Sequence, residues 1–315
     1  MEKKRVPLLS VVMATYNGGD FLEEQLTSIY NQTYGHLEVI VCDDGSTDAT
    51  VAILQRFQRT HQLQYHINEK RQGVIKNFEK AISLAQGDYI ALADQDDVWL
   101  PNKLTKSYKL LREIEQKSAS ALPAVVFTDL TVVDENLHLI HSSFWNYMKL
   151  NPNNTSLNRV LVENVATGCT LLMNKATVSL ALPIPDAALM HDSWFMLVAT
   201  CFGQIGYLPE QAMLYRQHAR NVIGARQKMF FQKISGGLRK VRERQFSLLQ
   251  QEIEQARAFY ERFQQDQRLK SSDKAVLEAF ICLKSLSVIR KKYFVLKHAF
   301  YGSTFKKALN VFLRV

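Results

Sequence analysis

Apolar positions along the first hundred residues form short continuous runs separated by stretches with helical spacing. Leu8–Thr15 is a continuous apolar run that reads as a buried strand. Asp20–Gln32 follows, with Phe21, Leu22, Leu26 and Ile29 near helical spacing. Leu37–Cys42 predicts a second strand. Thr47–Thr60 predicts a helix with Val51, Leu54 and Phe57 on one face. A short strand over Leu63–Ile67, a helix over Val74–Ala85 and a strand over Tyr89–Ala93 come next. Pro101 sits at the first turn of a helix over Asn102–Gln116, where its missing N–H is tolerated. Strand–helix alternation of this kind argues an α/β fold, a mostly parallel sheet flanked by helices on both faces.

Past residue 120 the pattern changes. Ala124–Thr128 predicts a strand, and Leu130–Asn151 reads as irregular and aromatic. Strands over Cys169–Met173 and Gln211–Gln217 bracket a helix over Ser193–Phe202. From Arg226 onward no strand signal remains, and Ile234–Phe263 and Asp273–Leu313 predict long basic amphipathic helices. The chain therefore divides into residues 1–225 and a helical extension over 226–315.

Charge sharpens that division. The net charge is +9 over 315 residues. Residues 226–315 hold 20 Lys/Arg against 7 Asp/Glu, whereas residues 1–225 hold 19 against 23. The asymmetry points to an anionic partner for the extension alone. No apolar run reaches the roughly 20 residues of a membrane span. Met1–Tyr16 pairs basic residues with an apolar stretch, as a secretory leader would, but no small-residue cleavage pattern follows. Cys42, Cys169, Cys201 and Cys282 lack metal or disulfide spacing and read as small core residues in a reducing compartment, the cytosol.

The chemistry concentrates at strand ends. Asp94-Gln95-Asp96-Asp97-Val98-Trp99 follows the Tyr89–Ala93 strand and offers hard oxygen ligands for a divalent cation carrying a diphosphate. A D-x-D alone is weak, since about one is expected by chance in such a chain. Its position gives it force, because two further strands end in Thr15-Tyr16-Asn17 and Asp43-Asp44-Gly45-Ser46. All three would reach one edge of a parallel sheet, where open α/β sheets bind ligands. Tyr16 can flank a nucleobase or simply cover a turn. Ser46 or Thr47 suits a helix N-cap, which leaves the two preceding carboxylates unexplained. Asp192, ahead of the Ser193 helix, is either its cap or a general base that ionises readily at a helix start. Arg216 and His218 open a loop through Arg220, Asn221 and Gly224 and could offset phosphate charge.

Thr15-Tyr16-Asn17, Asn31-Gln32-Thr33, Asp43 to Asp48, Ala93 to Pro101 and His191-Asp192 together resemble the inverting family-2 glycosyltransferases of the GT-A (Rossmann-like) fold, over about residues 6–225. The ADQDDVWLPxKL stretch and the Tyr215–Gly224 segment look closest to bacterial rhamnosyltransferases of cell-wall and capsule polysaccharide synthesis. The resemblance implies that Ala14, Tyr16, Asp44 and Asp94 bind the nucleotide, with Asp44 accepting from a pyrimidine N3–H. It implies Asp96 as the principal ligand of Mg²⁺ or Mn²⁺ and Asp192 as the catalytic base. Arg216, His218, Trp194 and Asp97 are further candidates for the diphosphate or acceptor. Many members carry Gln-x-x-Arg-Trp where this chain has Arg216-Gln217-His218-Ala219-Arg220. That motif is typical of processive synthases, so its absence favours transfer of a single sugar.

The expected protein is a cytoplasmic enzyme, peripheral on the inner face of the cell membrane. It would move one sugar, L-rhamnose from dTDP-rhamnose or another sugar from a UDP donor, to a lipid-linked saccharide, and it would touch an anionic membrane. Two readings compete: a non-catalytic scaffold that kept the fold, against which all the carboxylates above are present, and a basic nucleic-acid-binding protein. The latter accounts for the charge of the extension, but no nucleic-acid motif accompanies those residues.

Overall fold

The computed structural model describes residues 5–117, 121–219 and 237–314. β1 (Leu9–Thr15), β2 (Leu37–Asp43), β3 (Leu63–Ile67) and β4 (Tyr89–Ala93) alternate with α1 (Leu22–Tyr30), α2 (Thr50–Thr60) and α3 (Val74–Leu84). Every residue of β2 and β4 is buried, and every residue of β1 except Ala14. Both faces of these strands are therefore covered, as their unbroken apolar runs require. The four strands pair in parallel in the order β3-β2-β1-β4. Register sets Thr15 opposite Asp43 and Met13 opposite Ala93, so the three polar clusters reach one edge.

The second half supplies β5 (Val98–Trp99), α4 (Lys103–Gln116), β6 (Ala124–Val133), β7 (Leu139–His141), α5 (Phe144–Met148) and α6 (Leu157–Val160). A 3₁₀ turn at Gly168–Thr170, β8 (Leu172–Asn174), α7 (Lys175–Ala181), α8 (His191–Phe202) and β9 (Gln204–Arg216) follow. The sheet continues β4-β8-β6-β9-β5, with β7 on β6. β8 runs antiparallel to both its neighbours, while β6 and β9 are parallel. β6 extends past Thr128 because β9, which begins at Gln204 rather than Gln211, pairs along it as far as Val133. Part of the stretch expected to be irregular is thus strand and short helix. The strand expected from Cys169 starts at Leu172 instead, behind the 3₁₀ turn.

The C-terminal segment is helical: α9 (Gly237–Phe263), α10 (Ser271–Cys282), α11 (Val288–Lys297) and α12 (Phe305–Arg314). The single helix expected over Asp273–Leu313 is three. One break falls at Ala299, whose φ of 54° is left-handed and ends the preceding turn. These helices share the core of the sheet domain: Leu249, Ile253, Phe259 and Phe280 join one buried cluster with the strands. Among the described residues, no helix is long and apolar enough to cross a membrane.

Candidate active site

The two carboxylates that end β2 do different work. Asp43 accepts from Thr15 Oγ1 (2.8 Å), the Ser46 N–H (2.8 Å) and Ser46 Oγ (2.6 Å), and so shapes the loop. Ser46 Oγ in turn accepts from the Asn17 N–H at 2.8 Å. Neither Ser46 nor Thr47 caps α2. The helix starts at Thr50, and Asp48 accepts from its N–H and hydroxyl. Asp44 points the other way. Its Oδ1 accepts from the Gln72 N–H (2.6 Å) and Asn68 Nδ2 (3.1 Å), and its Oδ2 from the Gly73 N–H (2.9 Å). Gly73 holds a φ of +82°, which favours glycine and aims that N–H at Asp44. With two acceptor sites on each oxygen, Oδ2 keeps one for a further donor. Arg71 lies between Asp44 Oδ2 (3.9 Å) and the exposed ring of Tyr16 (3.9 Å to its centroid). Ala14, half-buried in an otherwise buried strand, lies on this same edge.

The loop after β4 is clasped to the loop after β1. Gln95 Oε1 accepts from the Tyr16 N–H (2.9 Å), and its Nε2 donates to the Tyr16 carbonyl (3.2 Å). Asp96 Oδ2 meets His218 Nε2 at 2.7 Å. Asp97 is fully buried; its Oδ1 accepts from the Arg216 N–H (3.2 Å), and its Oδ2 has no hydrogen-bond partner among the described residues. One ligand atom each from Asp94, Asp97 and Cys169 lies within 4.8 Å of the others. Burial and the neighbouring Asp96 charge push the Asp94 carboxyl up to about 7 and that of Asp97 well above its usual range. Buried Lys103 is held down to about 8 by desolvation, with its Nζ 3.7 Å from the centroid of the Trp99 ring.

Asp192 lies in the first turn of α8, behind Met190 as N-cap, so it is not itself the cap. Its Oδ1 accepts from the Ser193 N–H at 2.6 Å. Burial nevertheless raises its carboxyl to about 6, against the lowering effect of the Ser193 and Gly168 N–H groups. Ready ionisation at a helix start is thus overridden by desolvation. Asp192 is close enough for its charge to raise the Asp94 carboxyl. The 3₁₀ turn is the partition between them. Cys169 sits beside Asp94 and Asp97, and a Cβ on Gly168 would lie 2.9 Å from His191 Nε2 and 3.6 Å from Asp192 Oδ2. His191 stacks on Phe78 (4.1 Å) and is buried, with neither ring nitrogen partnered among the described residues, and desolvation pushes its pKa down to about 3.

Two further candidates occupy other places. Trp194 is fully buried. Its Nε1 donates to the Ala181 carbonyl (2.8 Å), and its ring packs edge-on against Phe259 at 5.4 Å, fastening α8 to α9 rather than facing the cleft. Arg216 is 2% exposed. Its Nε donates to the Asp96 carbonyl (2.8 Å), Nη1 to the Glu135 carbonyl (2.5 Å) and Nη2 to the Glu24 carboxylate. Its guanidinium therefore ties the Asp96 loop to the body and is not open to a diphosphate. Residues 220–225, expected to complete this loop, lie outside the described residues.

Residues 10–178 match the family model described as glycosyl transferase family 2. TuaG of Bacillus subtilis strain 168, named for teichuronic acid biosynthesis, is 26% identical over 231 residues, covering 71% of this chain and 86% of TuaG. The dTDP-rhamnosyl transferase RfbG of Shigella flexneri is 29% identical over 227 residues, 68% of this chain and 74% of RfbG. Among solved structures, residues 1–349 of S. aureus TarS in complex with UDP superpose with a TM-score of 0.56 at 15% identity, covering 91% of this chain and 78% of that one. The mannosyltransferase PcManGT of Pyrobaculum calidifontis, in complex with GDP-Man and Mn²⁺, superposes with a TM-score of 0.56 at 17% identity, covering 94% and 74%. At those identities the likeness concerns the fold.

Proposed function

The chain belongs to glycosyl transferase family 2, and from that premise we propose that it moves one sugar from a pyrimidine-diphosphate donor to a lipid-linked saccharide, with inversion. The observation that carries the reading is the pairing of Asp192, a buried carboxyl lifted to about 6, with the acid cluster of Asp94, Asp96 and Asp97 across one 3₁₀ turn. A base poised near neutral pH on one side and a cluster suited to a diphosphate on the other are what a single displacement needs.

Asp44 accepts the N3–H of uracil or thymine on the free site of its Oδ2, and Tyr16 and Ala14 border the base. Asp94 lies toward the ribose and diphosphate. The cluster fits Mg²⁺ or Mn²⁺ through its carboxylate oxygens, with the Cys169 thiol beside them: burial and the Asp96 charge raise Asp94 and Asp97, and among the described residues the buried Asp97 Oδ2 has no hydrogen-bond partner. Asp96 would be the principal ligand, with His218 orienting its carboxylate. The cation, when bound, neutralises charge on the departing diphosphate. Asp192 takes the proton from the acceptor hydroxyl as that oxygen attacks the anomeric carbon. His191, buried and uncharged, leaves that proton to Asp192.

The relationship to RfbG favours dTDP-L-rhamnose as donor, and the UDP complex of TarS keeps a UDP-sugar as the alternative. Placement on the inner face of the membrane follows from a lipid-linked acceptor. Calorimetry with free nucleotides tests the base pocket. UDP or dTDP should bind and ADP should not, since adenine has no ring N–H to offer Asp44; equal affinity for ADP would refute it.

A further inference from the structure

α11 turns an apolar stripe away from the protein. Ile289, Tyr293 and Leu296 are 82%, 59% and 64% exposed and recur at i, i+4 and i+7, one face of a helix. The opposite side is the one that packs, through buried Val295. At 100° per residue, Lys292 falls on one flank of the stripe, and Arg290 and Lys297 on the other. α12 repeats the pattern with Phe305, 85% exposed, and Leu309 one turn on. From Ser285 to Val315 there are seven Lys or Arg and no Asp or Glu.

The connection between these helices is bolted down. Arg159 Nη1 donates to the Tyr301 carbonyl (2.6 Å), the Ser303 N–H donates to Glu163 (2.7 Å), and Lys307 pairs with Glu163 at 2.6 Å. The stripe is thus held outward. The same short segment reaches the active site, because Asn164 Nδ2 contacts Ser193 Oγ at 3.4 Å, beside Asp192.

We propose that the outward face of α11, the Ile289–Tyr293–Leu296 stripe between Lys292 and the pair Arg290 and Lys297, docks on an anionic lipid bilayer and holds the base side of the cleft toward a membrane-borne acceptor. This rests on the glycosyltransferase reading for the acceptor, though not for the docking itself. Apolar side chains between rows of cations suit the boundary between headgroups and acyl chains. Nucleic acid would use the cations and leave Ile289 and Leu296 in water. A second copy would bring Arg290, Lys292 and Lys297 against the same three cations.

The test is co-sedimentation of the full chain with vesicles containing about 30 mol% phosphatidylglycerol in phosphatidylcholine. Ile289→Glu with Leu296→Glu is the comparison, at exposed positions where folding is not at stake. The parent should bind at low salt and less at high salt. The double variant should partition at least about tenfold more weakly and keep its dTDP or UDP affinity. Equal binding by the double variant overturns the proposal. So does a parent that ignores the vesicles, prefers duplex DNA to them, or uses the stripe to self-associate. Vesicle binding by a chain that binds no nucleotide would sink the enzymatic reading and leave this surface standing; nucleotide turnover without vesicle binding would do the reverse.

Discussion

Asp192→Asn separates two consequences of one buried carboxyl. Burial lifts Asp192 from 3.8 to about 6. That gap of about 2 units, at about 1.36 kcal/mol each, makes ionisation about 3 kcal/mol more costly in the folded chain than in the unfolded one. Because the folded value is the higher, the penalty is absent below pH 4, grows between about 4 and 6, and is complete above 6. Asparagine can still accept from the Ser193 N–H and carries no charge. The variant should therefore match the parent near pH 4 and exceed it by up to about 3 kcal/mol at pH 7.5, a rise of several degrees in Tm. Activity should move the opposite way. Loss of the base should lower kcat by about 10²–10⁴-fold, and the parent's kcat should fall as pH drops through about 6. Thermal unfolding across that pH range, nucleotide-release kinetics and calorimetry with dTDP or UDP read all three. A variant less stable than its parent at pH 7.5, or a gain that does not vary with pH, would refute the buried-base reasoning. Collapse of nucleotide affinity with kcat preserved would make Asp192 a binding residue.

Other substitutions probe the scaffold. Gln95→Ala removes both hydrogen bonds that clasp Tyr16; dTDP or UDP affinity should fall by up to about thirtyfold by calorimetry, at about 1 kcal/mol per bond, and an unchanged Kd would show the clasp to be idle. Gly168→Ala places a methyl 2.9 Å from His191 Nε2; kcat should drop about 10–100-fold with nucleotide affinity retained, and wild-type kcat would remove the turn from the site. Trp194→Ala should cost about 3–5 kcal/mol in urea unfolding, because its ring fastens α8 to α9; a loss under 1 kcal/mol would contradict that packing.

Much of this site was legible because its parts stand where strands end. The runs through Leu9–Thr15, Leu37–Asp43 and Tyr89–Ala93 are apolar on both faces, and register then brings Tyr16, Asp44 and the Asp94–Asp97 cluster to one edge. What stayed hidden is direction. Trp194 follows Asp192 by two residues, so on a helix it points about 200° away from it, into the core. Arg216 reads as a polar strand end, yet its partners Glu24, Asp96 and Glu135 are 81 to 192 residues distant in sequence. The Gly168–Cys169 turn has no periodicity of its own, and only the fold shows that it stands between Asp192 and the acid cluster. α11 was legible as amphipathic; which side packs was not, because one buried Val295 decides it.

On the proposed chemistry, the carboxylates at the end of β4 would hold a cation shared with a nucleotide-sugar diphosphate. The direct measurement is nucleotide release from dTDP-rhamnose or a UDP-sugar, with lipid-linked acceptor, in Mg²⁺ or Mn²⁺ and in excess chelator, for the parent and Asp96→Asn. The parent should release nucleotide only with the cation and fall silent in chelator, and the Asp96→Asn protein should fold and lose most turnover. Full activity in chelator, or in Asp96→Asn, would contradict that chemistry.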